Sequence, residues 1–158
     1  MNRLLLALAF FGLVSCEENM NLDPKQVTEV IYSFQDASVP PEYHRSYSIT
    51  INKNQAAIEV DSYGDILAKD EFQFSEGQFE DLISTINEAQ LKECESNNEA
   101  QCTGSTGELI SIKEGEKEVY HQYLDHCDKN SNISKCGDFP TVIKAIKAFV
   151  PNLESLLG

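Results

Sequence analysis

The sequence predicts an α+β fold, a two-layer sandwich in which an antiparallel sheet carries two helices on one face. Three observations predict it. Residues 43–52 alternate apolar and polar side chains, the pattern of a half-buried strand. Phe79, Leu82, Ile83, Ile86 and Ala89 repeat at helical spacing, and so do Phe139, Val142, Ile143, Ile146 and Phe149. A hairpin with one apolar face and a helix with one apolar stripe cannot bury these surfaces alone, so layering them follows.

The chain opens Met-Asn-Arg, then runs apolar from Leu4 to Val14 with only Gly12 between. A positive start and a short apolar run read as an export signal. Eleven residues fall short of the ~20 a membrane-spanning helix needs. The run ends Leu13-Val14-Ser15-Cys16, which resembles the lipobox of bacterial lipoproteins. The resemblance implies cleavage before Cys16 and acylation of that cysteine. It divides the chain into a signal peptide (1–15), a tether (16–26) and one α+β domain (27–158). Acyl chains contribute ~0.8 kcal/mol per buried methylene, so two or three hold a protein on a membrane. The acidic residues Glu17 and Glu18 resemble a surface-export signal in some bacterial groups and an inner-membrane retention signal in others. The outer membrane is expected, with the leaflet open.

Strands come first in the domain. Val30, Tyr32 and Phe34 share a face, and Pro40-Pro41 ends the run. Tyr43, Tyr47, Ile49 and Ile51 are expected inward, with Arg45 at the margin and His44, Ser46, Ser48 and Thr50 outward. Lys53-Asn54-Gln55 turns the chain, Ile58 and Val60 mark a return strand, and Tyr63-Gly64-Asp65 closes it. Residues 66–74 read as a further extended piece.

A helix then starts at Ser75, where Gln78 completes a capping-box pair and Phe74 with Phe79 a hydrophobic staple. After the loop Thr103–Gly107, Ile110 and Ile112 point inward, and Glu114-Gly115-Glu116 makes a hairpin turn. Val119, His121 and Tyr123 share the return strand's face, with His121 expected inward. Asp138 caps the second helix, with Pro140 in its first turn. Ile49/Ile51 match Ile110/Ile112, and the two helical stripes match at nearly the same offset. A tandem ββα duplication is therefore expected, with halves of about 27–92 and 103–158. The mature part resembles small hairpin–helix lipoproteins in Ser46–Ile49, Tyr63-Gly64 and Thr103-Gly104.

The net charge is −14, and losing residues 1–15 removes one basic residue and no acid, giving −15. That excess opposes nucleic acid and anionic lipid surfaces and suits a basic protein partner or plain solubility. Setting Cys16 aside leaves Cys94, Cys102, Cys127 and Cys136, an even number expected to form two disulfides in an oxidising compartment. The local pairs Cys94–Cys102 and Cys127–Cys136 are favoured among three connectivities. Cys-x-x-Cys spacing is absent, which speaks against zinc and thiol–disulfide catalysis.

The sequence contains no nucleophile elbow or phosphate-binding loop. Asp128, Asn130 and Asn132 follow the start of a calcium loop, but Ile133 and Phe139 stand where Gly and Glu are needed. No catalytic residues and no cofactor are expected. The open sheet face should carry His44, Ser46, Ser48, Thr50, Glu59, Asp61 and Tyr63. The leading expectation is a non-catalytic protein-binding module on a lipid tether, of inhibitor, immunity or accessory type. The alternatives are a structural envelope protein and a hydrolase.

Overall fold

The computed structural model describes residues 20–92, 104–126 and 136–158. The fold is α+β. Strands β1 (Val27–Gln35), β2 (Ser46–Ile51), β3 (Gln55–Ser62) and β4 (Asp65–Gln73) precede helix α1 (Glu76–Glu88). Strands β5 (Gly107–Glu114) and β6 (Lys117–Asp125) precede α2 (Phe139–Lys147) and the short α3 (Leu153–Leu157). The sheet is antiparallel throughout, in the order β4-β3-β2-β1-β5-β6.

Strand β1 lies at the centre because both its neighbours present matched apolar pairs. Val30 sits between Ile51 and Ile112, and Tyr32 between Ile49 and Ile110. All six side chains are buried on the face that meets the helices. The isoleucine pairs that match in the sequence thus occupy equivalent places on either side of one strand. The halves are unequal, however. Between its β2–β3 hairpin and α1 the first inserts β4, which has no counterpart among the described residues of the second.

Helix α1 buries Phe79, Leu82, Ile83 and Ile86 and α2 buries Phe139, Val142 and Ile146, each through its apolar stripe. Full burial of such a side chain stabilises by about 1.5–3 kcal/mol. At the start of α1, the Gln78 side-chain carbonyl accepts from the Ser75 N–H at 3.1 Å and from its hydroxyl at 3.2 Å. This is the glutamine half of the capping box. Phe74 meets Phe149 of the α2 end edge-on, with centroids 4.6 Å apart. At α2, Asp138 accepts from the Thr141 N–H at 3.2 Å.

Three expectations are corrected. The packed domain begins before residue 27. Leu22 is buried, its N–H donates to Asn87 Oδ1 at 2.8 Å, and Asn87 Nδ2 donates back to the Leu22 carbonyl at 2.9 Å. This amide imitates a strand partner for the entering chain. Tyr43, expected inward, is 70 % exposed because it precedes the ladder of β2 and is not held by its alternation. His121, also expected inward, is exposed, while Tyr120, Gln122 and Leu124 are buried. The cause is a register shift. Lys113 pairs with Glu118, but Ile112 pairs with Tyr120, so Val119 is an extra residue on β6. With a side-chain period of two, that residue reverses the faces of the rest of the strand.

Candidate functional site

On the sheet face opposite the helices, at the ends of β1, β2 and β3, lies a polar depression of about 390 Å³. Its lining includes His44, Ser46, Ser48, Asp61 and Tyr63, five of the seven residues expected on the open face. Pairing explains their meeting. Ser46 lies opposite Asp61, and the β3–β4 turn brings Tyr63 back over the start of β2. Thr50 and Glu59 lie farther along the same strands, outside the depression. Glu59 is tied to Lys69 of β4 at 2.6 Å.

Strand β1 and the following loop add Ser33, Gln35, Asp36 and Ser38, which the sequence reading missed. The signal was present, since Ser33 and Gln35 alternate with the inward Tyr32 and Phe34. Only the β1–β2 pairing shows that they converge with Ser48 and Ser46.

His44 is where the structure departs most from expectation. It is 4 % exposed rather than solvated. Tyr63 covers it, with ring centroids 3.9 Å apart and planes 24° from parallel. Tyr63 is held in place by its hydroxyl, which donates to the Val39 carbonyl at 2.6 Å. Its backbone is at φ 53, a left-handed conformation uncommon for an aromatic residue. The Gly64 N–H that follows donates to Asp61 Oδ1 at 2.9 Å.

The loop between β1 and β2 is tied down by Asp36, whose carboxylate accepts from the N–H groups of Ala37 and Arg45, each at 2.8 Å. The Asp36 N–H donates to Ser46 Oγ at 3.0 Å, and the same oxygen lies 3.4 Å from His44 Nε2. Among the described residues, buried His44 Nδ1 has no hydrogen-bond partner. An unsatisfied buried polar atom costs about 1–3 kcal/mol. The Arg45 side chain turns away, donating to the carbonyls of Leu157 and His44. Among the described residues the lining is therefore one of carboxylates, hydroxyls, the Gln35 amide and aromatic rings, with no lysine or arginine.

Two other polar clusters lie outside it. On the helix side of the sheet, Glu108 accepts from the Tyr32 hydroxyl, meets His126 Nε2 at 2.8 Å and lies 3.8 Å from Lys147 Nζ. Burial, and then the bond to Glu108, raise the Tyr32 phenol far above its ordinary range, so it stays protonated. On the open face of β5 and β6, Glu118 Oε1 accepts from the Ser111 hydroxyl at 2.5 Å and lies 3.1 Å from His121 Nδ1. The serine bond first, then the histidine, lower the Glu118 pKa. Here the carboxylate stands between serine and histidine. A serine relay needs the imidazole in the middle, so this order does not activate Ser111 as a nucleophile.

Among the described residues, no group of three or more His, Cys, Asp or Glu side chains is placed to hold a metal ion. Asp128, Asn130 and Asn132 lie outside the described residues, as do Cys16, Cys94, Cys102 and Cys127. Cys136 is buried and disulfide-bonded. Among the described residues, no helix is long and apolar enough to cross a membrane. No protein-family model matches the chain, and a search of curated proteins finds no match.

Proposed function

We propose that the chain is a lipid-anchored envelope lipoprotein whose domain is a non-catalytic protein-binding module, with the open sheet face as its contact surface. The observation that carries the reading is the depression around His44. A buried imidazole with an unsatisfied nitrogen costs stability, and such a cost is tolerated where a binding partner relieves it. The net charge of −14 favours a basic partner and speeds its encounter. Leu13-Val14-Ser15-Cys16 supports attachment through Cys16. With the packed domain entered at Leu22, only a few residues separate that anchor from the fold.

The test is capture of partners from envelope extract by the detergent-solubilised full chain, at low and high salt. A basic partner held at low salt, released at high salt, and lost on Asp61→Asn or Ser48→Arg supports the reading. Failure to capture any partner at either salt overturns it in favour of a structural role. The anchor is tested separately. Metabolic labelling with palmitate should mark the chain and vanish in Cys16→Ala.

A further inference from the structure

We infer that the His44 depression is a receptor for a single basic side chain, a guanidinium or ammonium group presented by the partner. The inference rests on the protein-binding reading and adds the chemistry of the contact. Three independent features converge on that chemistry.

The first is the lining charge. Asp36 and Asp61 both line the depression, and Arg45, which does not, donates to the backbone carbonyls of Leu157 and His44. Each carboxylate accepts from backbone N–H groups and still keeps lone pairs free. The second is His44, which lines the depression and is more than nine-tenths buried, with Nδ1 unpartnered among the described residues. In the tautomer whose Nε2–H faces Ser46 Oγ, Nδ1 is an acceptor; it is shut off from solvent beneath the Tyr63 ring, so an entering guanidinium or ammonium N–H satisfies it as that ring gives way. The third is Tyr63. His44 covers one face of its ring, yet the residue remains 56 % exposed, leaving aromatic surface beside the two carboxylates. A cation against an aromatic face is attracted by the ring quadrupole, and Arg is the commoner partner. Serine hydroxyls and the Gln35 amide complete the wall and can accept further N–H donors.

The experiment titrates N-acetyl-arginine amide into the ¹⁵N-labelled full chain in detergent, following the amide signals of Ser46, Ser48 and Gly64. N-acetyl-citrulline amide, which has nearly the same shape without the charge, is the control. The arginine compound should shift these signals saturably and the citrulline compound should not. Asp61→Asn keeps an oxygen for the Gly64 N–H but removes the charge, and should weaken binding roughly fivefold, as loss of one partly exposed charge-assisted contact does. His44→Phe keeps the stack on Tyr63 without the acceptor and should weaken it as well.

Equal shifts from both compounds, no shift from either, or indifference to Asp61→Asn would each overturn the inference. So would saturable shifts from N-acetylglucosamine with the arginine compound silent, which would make the depression a polyol site. If a salt-sensitive partner is captured while the arginine compound is silent, this inference alone fails. If no partner is captured either, the binding-module reading fails with it.

Discussion

The His44 imidazole lies nearly flat on the Tyr63 ring, centroids 3.9 Å apart, so a polar residue expected at the surface is shut beneath an aromatic one. The β3–β4 turn makes this possible. Tyr63 and Gly64 both take positive φ, the geometry of a two-residue hairpin turn that folds β4 back tightly. The Tyr63 hydroxyl then reaches Val39 and pins the preceding loop.

A prediction follows for position 44. Phenylalanine keeps a flat ring for the stack, at a somewhat larger volume, and removes the unsatisfied nitrogen. His44→Phe should therefore stabilise the domain by about 1 kcal/mol, less than the full cost of an unsatisfied atom because the contact with Ser46 Oγ is also lost. The midpoint of urea unfolding should rise at constant slope. Partner binding should fall in the same variant, a trade of stability against function. A lower midpoint would mean that the imidazole is satisfied in solution and contributes to the fold.

A second concerns alkaline pH. The Tyr32 phenol is raised above its ordinary value by burial and by its bond to Glu108. Its proton is therefore held in the folded state and released in the unfolded chain once pH exceeds about 10. The unfolded state then binds fewer protons, so stability falls as pH rises beyond that point. Tyr32→Phe should flatten this alkaline decline in a series of unfolding curves. At neutral pH it should cost about 1–2 kcal/mol, since Glu108 loses a donor while keeping His126 and Lys147.

Gly137 supplies a third. It sits at φ 113, and a Cβ there would lie 2.7 Å from the Ala89 carbonyl oxygen and 2.8 Å from the Leu91 Cα. These are backbone atoms, and cannot swing aside. Gly137→Ala should cost about 2–4 kcal/mol, from strain in a left-handed backbone together with overpacking. Gly107→Ala also meets a close neighbour, but that neighbour is the phenol end of the Tyr123 side chain, which can rotate away, so its penalty should be smaller. Thermal unfolding of the pair ranks them.

The same junction bears on the cysteines. The Lys92 N–H donates to the Cys136 carbonyl at 2.8 Å, and the Asp138 N–H to the Ala89 carbonyl at 2.9 Å. Cys136 is disulfide-bonded, and peptide mapping of the unreduced protein identifies its partner. A Cys127–Cys136 peptide is the outcome expected of the local pairing, and any other partner would overturn that pairing.

The periodic signals were strong enough to be read from the chain directly. The helical stripes, the α2 cap at Asp138, the turn at Gly115 and the inward Ile49, Ile51, Ile110 and Ile112 all arise from local chemistry acting on neighbours in sequence. Ser46, Ser48 and Asp61 follow the strand alternation and line the depression for that reason, while His44 and Tyr63, which flank β2 and β3, reach it through the β3–β4 turn and their ring stack. Local patterns mislead where one residue changes a strand's parity. Val119 looks like an ordinary member of β6, and nothing local marks it as the extra residue that turns His121 outward.

Alternation and capping act between residues a few positions apart, so the sequence by itself determined the α+β class, the helical faces and the apolar side of β1, β2, β3 and β5. The tertiary structure alone decided the central place of β1, the bulge at Val119, the docking of Leu22 on Asn87 and the burial of His44 under Tyr63. Each of these depends on contacts between segments far apart in the chain, and their pairing is chosen by the collective burial of one core rather than by any local preference.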